Sequence, residues 1–290
     1  MGEGEPGQQG AEDHLRHLQR NGAGVSGFPG LPPVDRRLFV PETVWAVRDG
    51  RFVRLSRADE PDAWERLVAA DEPIATRLKD GTWPTSSTSG PSVMARMIGV
   101  LRLAPGMRVL EIGTGTGYNA ACLAALGAEV VSVEIDGEAA EHARRALRAA
   151  GRPDVAVITG DGEAGVPARA PFDRVLATAA AHTVPYAWIE QTRPGGLVVV
   201  PWAATFHPSG PLAVLTVRED GTAEGRFSVP AWFMPLHGQR LPQAVLDETQ
   251  KRWEARGRPD ASRFGVTVTP DGQTVWLDEP GNPVETRPVS

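Results

Sequence analysis

Short apolar runs alternate with amphipathic stretches through the middle of this chain, which predicts an α/β protein built on a doubly wound, mostly parallel sheet. Val109, Leu110 and Ile112 form a run that suits a buried parallel strand. Gly113, Gly115 and Gly117 follow and let the backbone turn sharply and come close to a ligand. Helix formers span 119–126, with Gly127 as a C-cap. The run 130–133, closed by Glu134, reads as the second strand of a βαβ unit. Beyond it the pattern predicts an alanine-rich helix over 137–150 closed by Gly151, a strand over 155–158 and another over 171–178. A helix over 185–192 follows, then a turn at Arg193-Pro194-Gly195-Gly196 into a strand over 197–201. Runs 212–217 and 227–234 read as a closing pair of strands around Asp220-Gly221.

Both ends depart from this alternation. Residues 1–27 are rich in Gly, Glu, Gln and His without apolar periodicity and read as a mobile tail. His14 and His17 stand three apart there; without a third ligand they read as solvated rather than as a metal pair. Val44-Trp45-Ala46-Val47, Asp49-Gly50 and Phe52-Val53-Arg54-Leu55 predict a β-hairpin. The stretch 61–78 is mostly helical in pattern, with Trp64, Leu67 and Val68 on one face. Residues 81–92 read as a hydroxyl-dense loop entering a helix, with Pro91 in its first turn and Met94, Met97, Ile98 and Leu101 on one face. After Gly238 come a helix over 242–256, a run over 265–269, a Pro270-Asp271-Gly272 turn, a run over 274–277 and an irregular end from Pro280. The expected division is a tail (1–27), an N-terminal accessory region (28–80), a core (81–238) and a C-terminal extension (239–290).

Composition narrows the classes. A hydrophobic content of 41% over 290 residues supports a real core. A net charge of −6 argues against nucleic acid as the main partner, because phosphate binding needs a basic footprint. The single cysteine, Cys122, forms no internal disulfide and sits within a predicted helix, so it reads as a core residue in a reducing compartment. No apolar run reaches transmembrane length and no signal-peptide core opens the chain, so the expected setting is cytoplasmic, away from membranes.

The candidate chemistry gathers at the strand ends. A dinucleotide fingerprint requires G-x-G-x-x-G, but here the third glycine comes one residue early and Tyr118 holds the sixth place. With Glu111 ahead of Gly113, Gly115 and Gly117, the loop instead resembles that of class I S-adenosyl-L-methionine (AdoMet) methyltransferases, whose cofactor carries an ammonium group that a carboxylate can orient. Glu134 stands where nucleotide folds place the acid that binds ribose hydroxyls; the plainer alternative is a surface glutamate beside a glycine-rich turn. Asp161, between Gly160 and Gly162, suits a hydrogen bond to a base edge or an Asx turn. Ser89 stands at a helix N-terminus, where free N–H groups and the helix dipole favour a carboxylate; alternatively it caps the helix.

Taken together, residues 85–201 and Phe233-Met234-Pro235-Leu236 resemble the protein-L-isoaspartate O-methyltransferase family. The resemblance rests on Ser89-Gly90-Pro91, Leu103-Ala104-Pro105-Gly106, the 109–118 loop, Val133-Glu134-Ile135, Gly160-Asp161-Gly162, Ala170-Pro171-Phe172-Asp173, Thr178-Ala179-Ala180 and Pro194-Gly195-Gly196. It implies a Rossmann-like fold and AdoMet bound by Glu111, Gly113, Gly115, Gly117, Glu134, Ile135, Asp161 and Gly162, with Glu134 on the ribose and Asp161 near the adenine. It also implies that Ser89 is the catalytic loop serine contacting the carboxylate to be methylated. Ser86, Ser87, Thr88 and His182 are the other expected substrate contacts. The family's usual Gln-Thr-Ile-Ser-Gln-Pro loop reads Ser86-Ser87-Thr88-Ser89-Gly90-Pro91 here, and both ends are extended. These departures resemble actinobacterial relatives serving lanthipeptides, lasso peptides and graspetides, in which a methylated aspartate closes to an aspartimide and can hydrolyse to isoaspartate. The expected partner is a peptide or protein substrate, with no metal.

Methyl transfer to a carboxylate that is ionised above a pKa of about 4 needs no general base, so the lack of a Ser/His/Asp constellation fits the chemistry. His182 therefore reads as structural or substrate-contacting in preference to catalytic. Trp83, Trp202 and Trp232 are candidates to line a peptide groove, although large aromatics are more often packed than exposed. The competing readings are a repair enzyme for isoaspartate in damaged proteins, a nicotinamide dehydrogenase, a non-catalytic AdoMet- or peptide-binding module, and a nucleic-acid methyltransferase. The dehydrogenase lacks its loop, and the nucleic-acid enzyme lacks both basic charge and an Asp/Asn-Pro-Pro-aromatic motif.

Overall fold

A computed structural model describes residues 28–284 and 286; the tail 1–27, with His14 and His17, lies outside the described residues, as do 285 and 287–290. The chain divides into two compact units, one running up to Val109 and resuming over Thr114–Gly160, the other formed by Leu110–Gly113 and Asp161–Ser290.

The first unit opens with a four-stranded sheet of β1 (Thr43–Arg48), β2 (Arg51–Ser56), β3 (Ile74–Lys79) and β4 (Trp83–Thr88), in the order β2-β1-β3-β4. Asp49 and Gly50 both take positive φ, which twists the β1–β2 hairpin in the sense its strands need. Helix α1 (Pro61–Ala69) lays Trp64 and Val68 on Val44, Leu55 and Ile74. The helix expected through Leu78 ends at Ala69. Ala70 is extended at ψ 150°, Pro73 disfavours helical backbone at Glu72, and β-branched Ile74 and Thr76 enter β3. The hydroxyl-rich stretch expected to be a loop is largely β4. Asp80 and Gly81, at φ 53° and 69°, turn the chain back so that Ile74 pairs with Thr88, Ala75 with Ser87 and Arg77 with Ser86.

Helix α2 (Pro91–Val100) follows with Pro91 in its first turn, and Met94, Met97, Ile98 and the adjoining Leu101 are buried. Strand β5 (Arg108–Ile112) is shared between the units. In the first unit it leads to α3 (Tyr118–Ala125), β6 (Glu129–Glu134), α4 (Gly137–Ala149) and β7 (Ala156–Thr159), with β6 and β7 parallel and the strand order β5-β6-β7. Cys122 is fully buried in α3.

The second unit continues from β5 to β8 (Phe172–Ala177), helix α5 (Tyr186–Glu190), β9 (Thr192–Pro201), β10 (Pro211–Val217), β11 (Ala223–Pro230), α6 (Gln243–Ala255), β12 (Phe264–Thr269) and β13 (Gly272–Leu277). Its strand order is β13-β12-β11-β10-β9-β8-β5; β8 and β9 are parallel, and each later strand is antiparallel to the one before. Antiparallel strands thus extend the parallel part, and the last two come from the C-terminal extension. The turn expected at 193–196 is an irregularity inside β9, where the register shifts opposite β8. A Cβ at Gly196 would lie 2.9 Å from Asp173 O, so only glycine lets the strands stay paired there. The strand expected to reach Met234 stops at Pro230. Trp202, expected to line a groove, is 1% exposed in an aromatic core with Phe206 and Phe227, whereas Trp83 and Trp232 are exposed. Among the described residues, no helix is long and apolar enough to cross a membrane.

Candidate functional site

In the first unit the glycine loop and the acid of β6 meet directly. Gly115 N donates to Glu134 Oε2 at 2.8 Å, and Asp136 N donates to Glu134 Oε1 at 3.0 Å. Glu134 is half-buried, and Ile135 beside it is 49% exposed, unusual for so large an apolar side chain. The loop sits close because its neighbour is small: a Cβ at Gly117, where φ is +88°, would meet Ala143 Cβ of α4 at 3.2 Å. Asp136 caps α4 by accepting from Glu138 N and Ala139 N. Arg77 of β3 reaches the same corner, donating to Asp136 Oδ2 at 2.8 Å and Glu138 Oε2 at 2.7 Å.

In the second unit, Glu111 is fully buried in β5. Gly113 follows at φ +92°, where an added Cβ would lie 2.7 Å from Thr178 Oγ1. Thr178 fixes this bend: its N–H donates to Ile112 O, and its hydroxyl lies within hydrogen-bond reach of the carbonyls of both Ile112 and Gly113. Asp161 is exposed and accepts from Glu163 N at 3.0 Å, an Asx-type cap on the short turn Gly162–Ala164. Gly162 is buried against Ile112, and its carbonyl accepts from Trp188 Nε1 at 2.8 Å.

The serine run belongs to the first unit. Ser86 accepts a hydrogen bond from Thr76 Oγ1 and lines, with Thr76, Arg77, Gly115, Thr116 and His142, a cavity of about 420 Å³. A Cβ at Gly115 would lie 3.4 Å from Ser87 O, so β4 and the glycine loop are neighbours. Thr88 is buried and Ser89 half-buried. Ser89 does not cap α2: the cap position is Gly90, and Asp71 Oδ1 accepts from Ser92 N at 2.8 Å instead. The Ser92 backbone and hydroxyl hold the Asp71 carboxyl below its ordinary range. Behind Ser89, the Arg36 guanidinium donates to Ser89 O at 3.0 Å and also to Val68 O, Ala70 O and Glu72 O. Burial lowers the Arg36 pKa to about 10.

His182, in the second unit, is half-buried, and its ring Nδ1 lies 3.0 Å from Thr183 Oγ1. Burial lowers its pKa, and Glu163 opposes the shift. Gln239, buried at 6%, accepts from His182 N and Thr183 N. Arg36, Arg77, Asp71, Thr178 and Gln239 were missed by reading the sequence. Each acts on backbone or partners distant in the chain, and only Thr178, inside a family-like Thr-Ala-Ala triplet, carried any local signal.

A family model described as Protein-L-isoaspartate(D-aspartate) O-methyltransferase matches residues 68–241, more than half of the chain. A protein-L-isoaspartate O-methyltransferase of Pyrococcus horikoshii is 36% identical over 180 residues, covering 61% of this chain and 78% of that protein. One of Myxococcus xanthus is 37% identical over 205 residues, covering 68% and 93%. A solved structure described as a protein-L-isoaspartate O-methyltransferase aligns with a TM-score of 0.63 at 20% identity, covering 93% of this chain and all of that one. A putative protein-L-isoaspartate O-methyltransferase of Plasmodium falciparum, in complex with S-adenosyl-L-homocysteine, aligns with a TM-score of 0.52 at 17% identity, covering 78% and 98%. At these identities the two structures establish the fold. The family match ends before α6, β12 and β13.

Proposed function

Because the chain belongs to the protein-L-isoaspartate(D-aspartate) O-methyltransferase family, we propose that it methylates the side-chain carboxylate of an aspartyl residue in a modified, ribosomally made peptide. The protein is an AdoMet-dependent protein carboxyl O-methyltransferase. Its net charge of −6 suits a peptide partner better than nucleic acid, and its single, buried cysteine suits a cytoplasmic setting.

The residues present fit the cofactor. Each oxygen of Glu134 accepts one backbone N–H and retains a second acceptor site suited to a ribose hydroxyl. Exposed Ile135 suits the apolar face of a nucleoside, Asp161 and Gly162 suit its base, and buried Glu111 stands at the start of the loop formed by Gly113, Gly115 and Gly117. Bound AdoMet supplies an electrophilic methyl group that a carboxylate oxygen takes directly, leaving S-adenosyl-L-homocysteine. The protein's task is to hold that carboxylate in line and exclude water. Ser89 orients one oxygen, with Ser86, Ser87, Thr88 and His182 as further peptide contacts. Arg36, through Ser89 O, steadies the backbone that carries the serine.

The ester activates its own carbonyl. The backbone nitrogen of the following residue attacks: a C–N bond forms, the C–OCH₃ bond breaks, and the amide proton leaves with methoxide as methanol. The product is an aspartimide, and addition of water across it returns aspartate or gives isoaspartate.

The observation that carries the peptide-modifying reading is the pairing of β12 onto β11, which adds residues outside the family match to the methyltransferase sheet. A second reading, repair of isoaspartyl residues in damaged proteins, is favoured by the names of the relatives. Matched peptides carrying aspartate or isoaspartate at one position, followed by mass spectrometry, separate the two. Methylation of aspartate in a folded peptide, ending in loss of water, is expected. Broad activity on linear isoaspartyl peptides alone would establish repair.

A further inference from the structure

Two glutamine side chains hold the segment 182–184. Gln239 Oε1 accepts from His182 N and Thr183 N, both at 3.0 Å, while its Nε2 donates to Thr183 O at 2.9 Å. Gln273, on β13, accepts from Val184 N at 2.9 Å and donates to His182 O at 2.7 Å. Five backbone polar groups are thus satisfied by side-chain amides, each offering a donor and an acceptor as a neighbouring strand would. The two preceding residues are held differently, by backbone: Ala180 exchanges hydrogen bonds with Met234 O and Leu236 N, and Ala181 with Pro201 O and Ala203 N. Gln239 also donates to Glu163 Oε2 at 3.2 Å, in the turn capped by Asp161. Gln273 lies well beyond the family match, in the C-terminal extension.

We propose that Gln239 and Gln273 are positioning residues for the peptide substrate, fixing 182–184 in one backbone conformation so that His182 and exposed Thr183 meet the peptide without first being ordered. This rests on the reading above that puts His182 on the substrate side. A loop ordered before binding spares the complex the entropy of ordering it, so the benefit appears in peptide capture rather than in the chemical step. The C-terminal extension, through Gln273, thereby acts on specificity.

The test uses the full chain and two variants of Gln273, a half-buried residue whose loss leaves the core intact. Gln273→Ala removes both bonds. Gln273→Glu keeps the shape but sets a carboxylate against His182 O. With a peptide containing one aspartyl or isoaspartyl residue as methyl acceptor, both variants are expected to raise the peptide KM about tenfold. They should leave kcat within about twofold and S-adenosylhomocysteine affinity unchanged. Hydrogen exchange should accelerate at the amides of 182–184. If Glu behaved like Gln, only bulk would matter and the proposal would fall. A drop in kcat at constant KM would also overturn it. Unchanged exchange would overturn the clamp itself, whatever the enzyme's substrate. A wild-type protein that methylates neither peptide would instead overturn the functional reading, and the peptide role with it, while exchange still reports the clamp.

Discussion

Gly115 N donates to Glu134 Oε2 over 2.8 Å, so the glycine loop orients the acid assigned to the ribose. Asp136 N holds the other oxygen, leaving the carboxylate little rotational freedom. Removing it deletes the partner of the loop N–H and, on the function proposed above, the ribose contact as well. Each hydrogen bond to a charged group is worth about 1.5–3 kcal/mol, so Glu134→Ala should weaken S-adenosylhomocysteine binding by roughly 100-fold. Calorimetry checks this, and unchanged affinity would remove Glu134 from the cofactor site.

Gly113→Ala tests the bend on the other side of the loop. The new Cβ meets Thr178 Oγ1 at 2.7 Å, on a backbone with φ +92°. Backbone strain at such a position costs about 1–3 kcal/mol, and the clash adds to it. Thr178→Ala in the same chain removes the clash but not the strain, so the double variant should recover part of the loss, read by urea unfolding. Full recovery would mean that φ at Gly113 is unimportant.

The glycine loop, β5, β6 and α4 were legible because their signals are local: an apolar run, glycines at fixed spacing, and an alanine stripe now buried as Ala139, Ala140, Ala143 and Ala146. Gly113, Gly115 and Gly117 all adopt positive φ. By contrast, the stretch from Trp83 to Thr88 reads as a loop because serine and threonine dominate it, and only pairing with β3 makes it a strand. The helix expected over 61–78 overran for a related reason: nothing short of Pro73 marks its end, and Ile74 and Leu78 continue a helical spacing that β1 and β4 overrule. Arg36 and Gln273 were invisible, since each serves carbonyls or amides far away in sequence.

Asp71, not Ser89, serves the helix end here, so capping can be tested apart from the catalytic role proposed for Ser89. Asp71 serves the first turn of α2, so Asp71→Ala should cost about 1 kcal/mol of stability, as lost N-caps do. Because the Asp71 carboxyl titrates below its ordinary value, its contribution is complete above pH about 4 and fades as pH falls through the lowered folded value. Ser89→Ala, which removes no cap, should leave thermal stability and AdoMet binding nearly unchanged while lowering turnover at least tenfold, roughly the loss of one charge-assisted hydrogen bond. Near-native methylation by Ser89→Ala would return the serine to a structural role.

His207 gives the second unit a pH dependence of the opposite origin. Its ring packs against Trp253 and Phe264 at 5.2 and 6.1 Å, and its Nδ1 lies 3.2 Å from Ser209 N and 2.8 Å from Ser209 Oγ. Burial lowers its pKa, with Asp260 and Pro259 O opposing. A base whose folded pKa is depressed binds fewer protons folded than unfolded, so stability is greatest above the unfolded value of about 6.5 and declines as pH falls below it. The decline ends once the lower folded pKa is passed. Protonation of Nδ1 also ends its acceptance from Ser209 N, which reinforces the sign. Denaturant unfolding between pH 7.5 and 5 should therefore show falling stability. His207→Asn should be less stable at pH 7.5 but have a shallower slope. A slope unchanged by the substitution would assign the acid sensitivity to other groups, with His182, shifted in the same direction by burial, the next to replace.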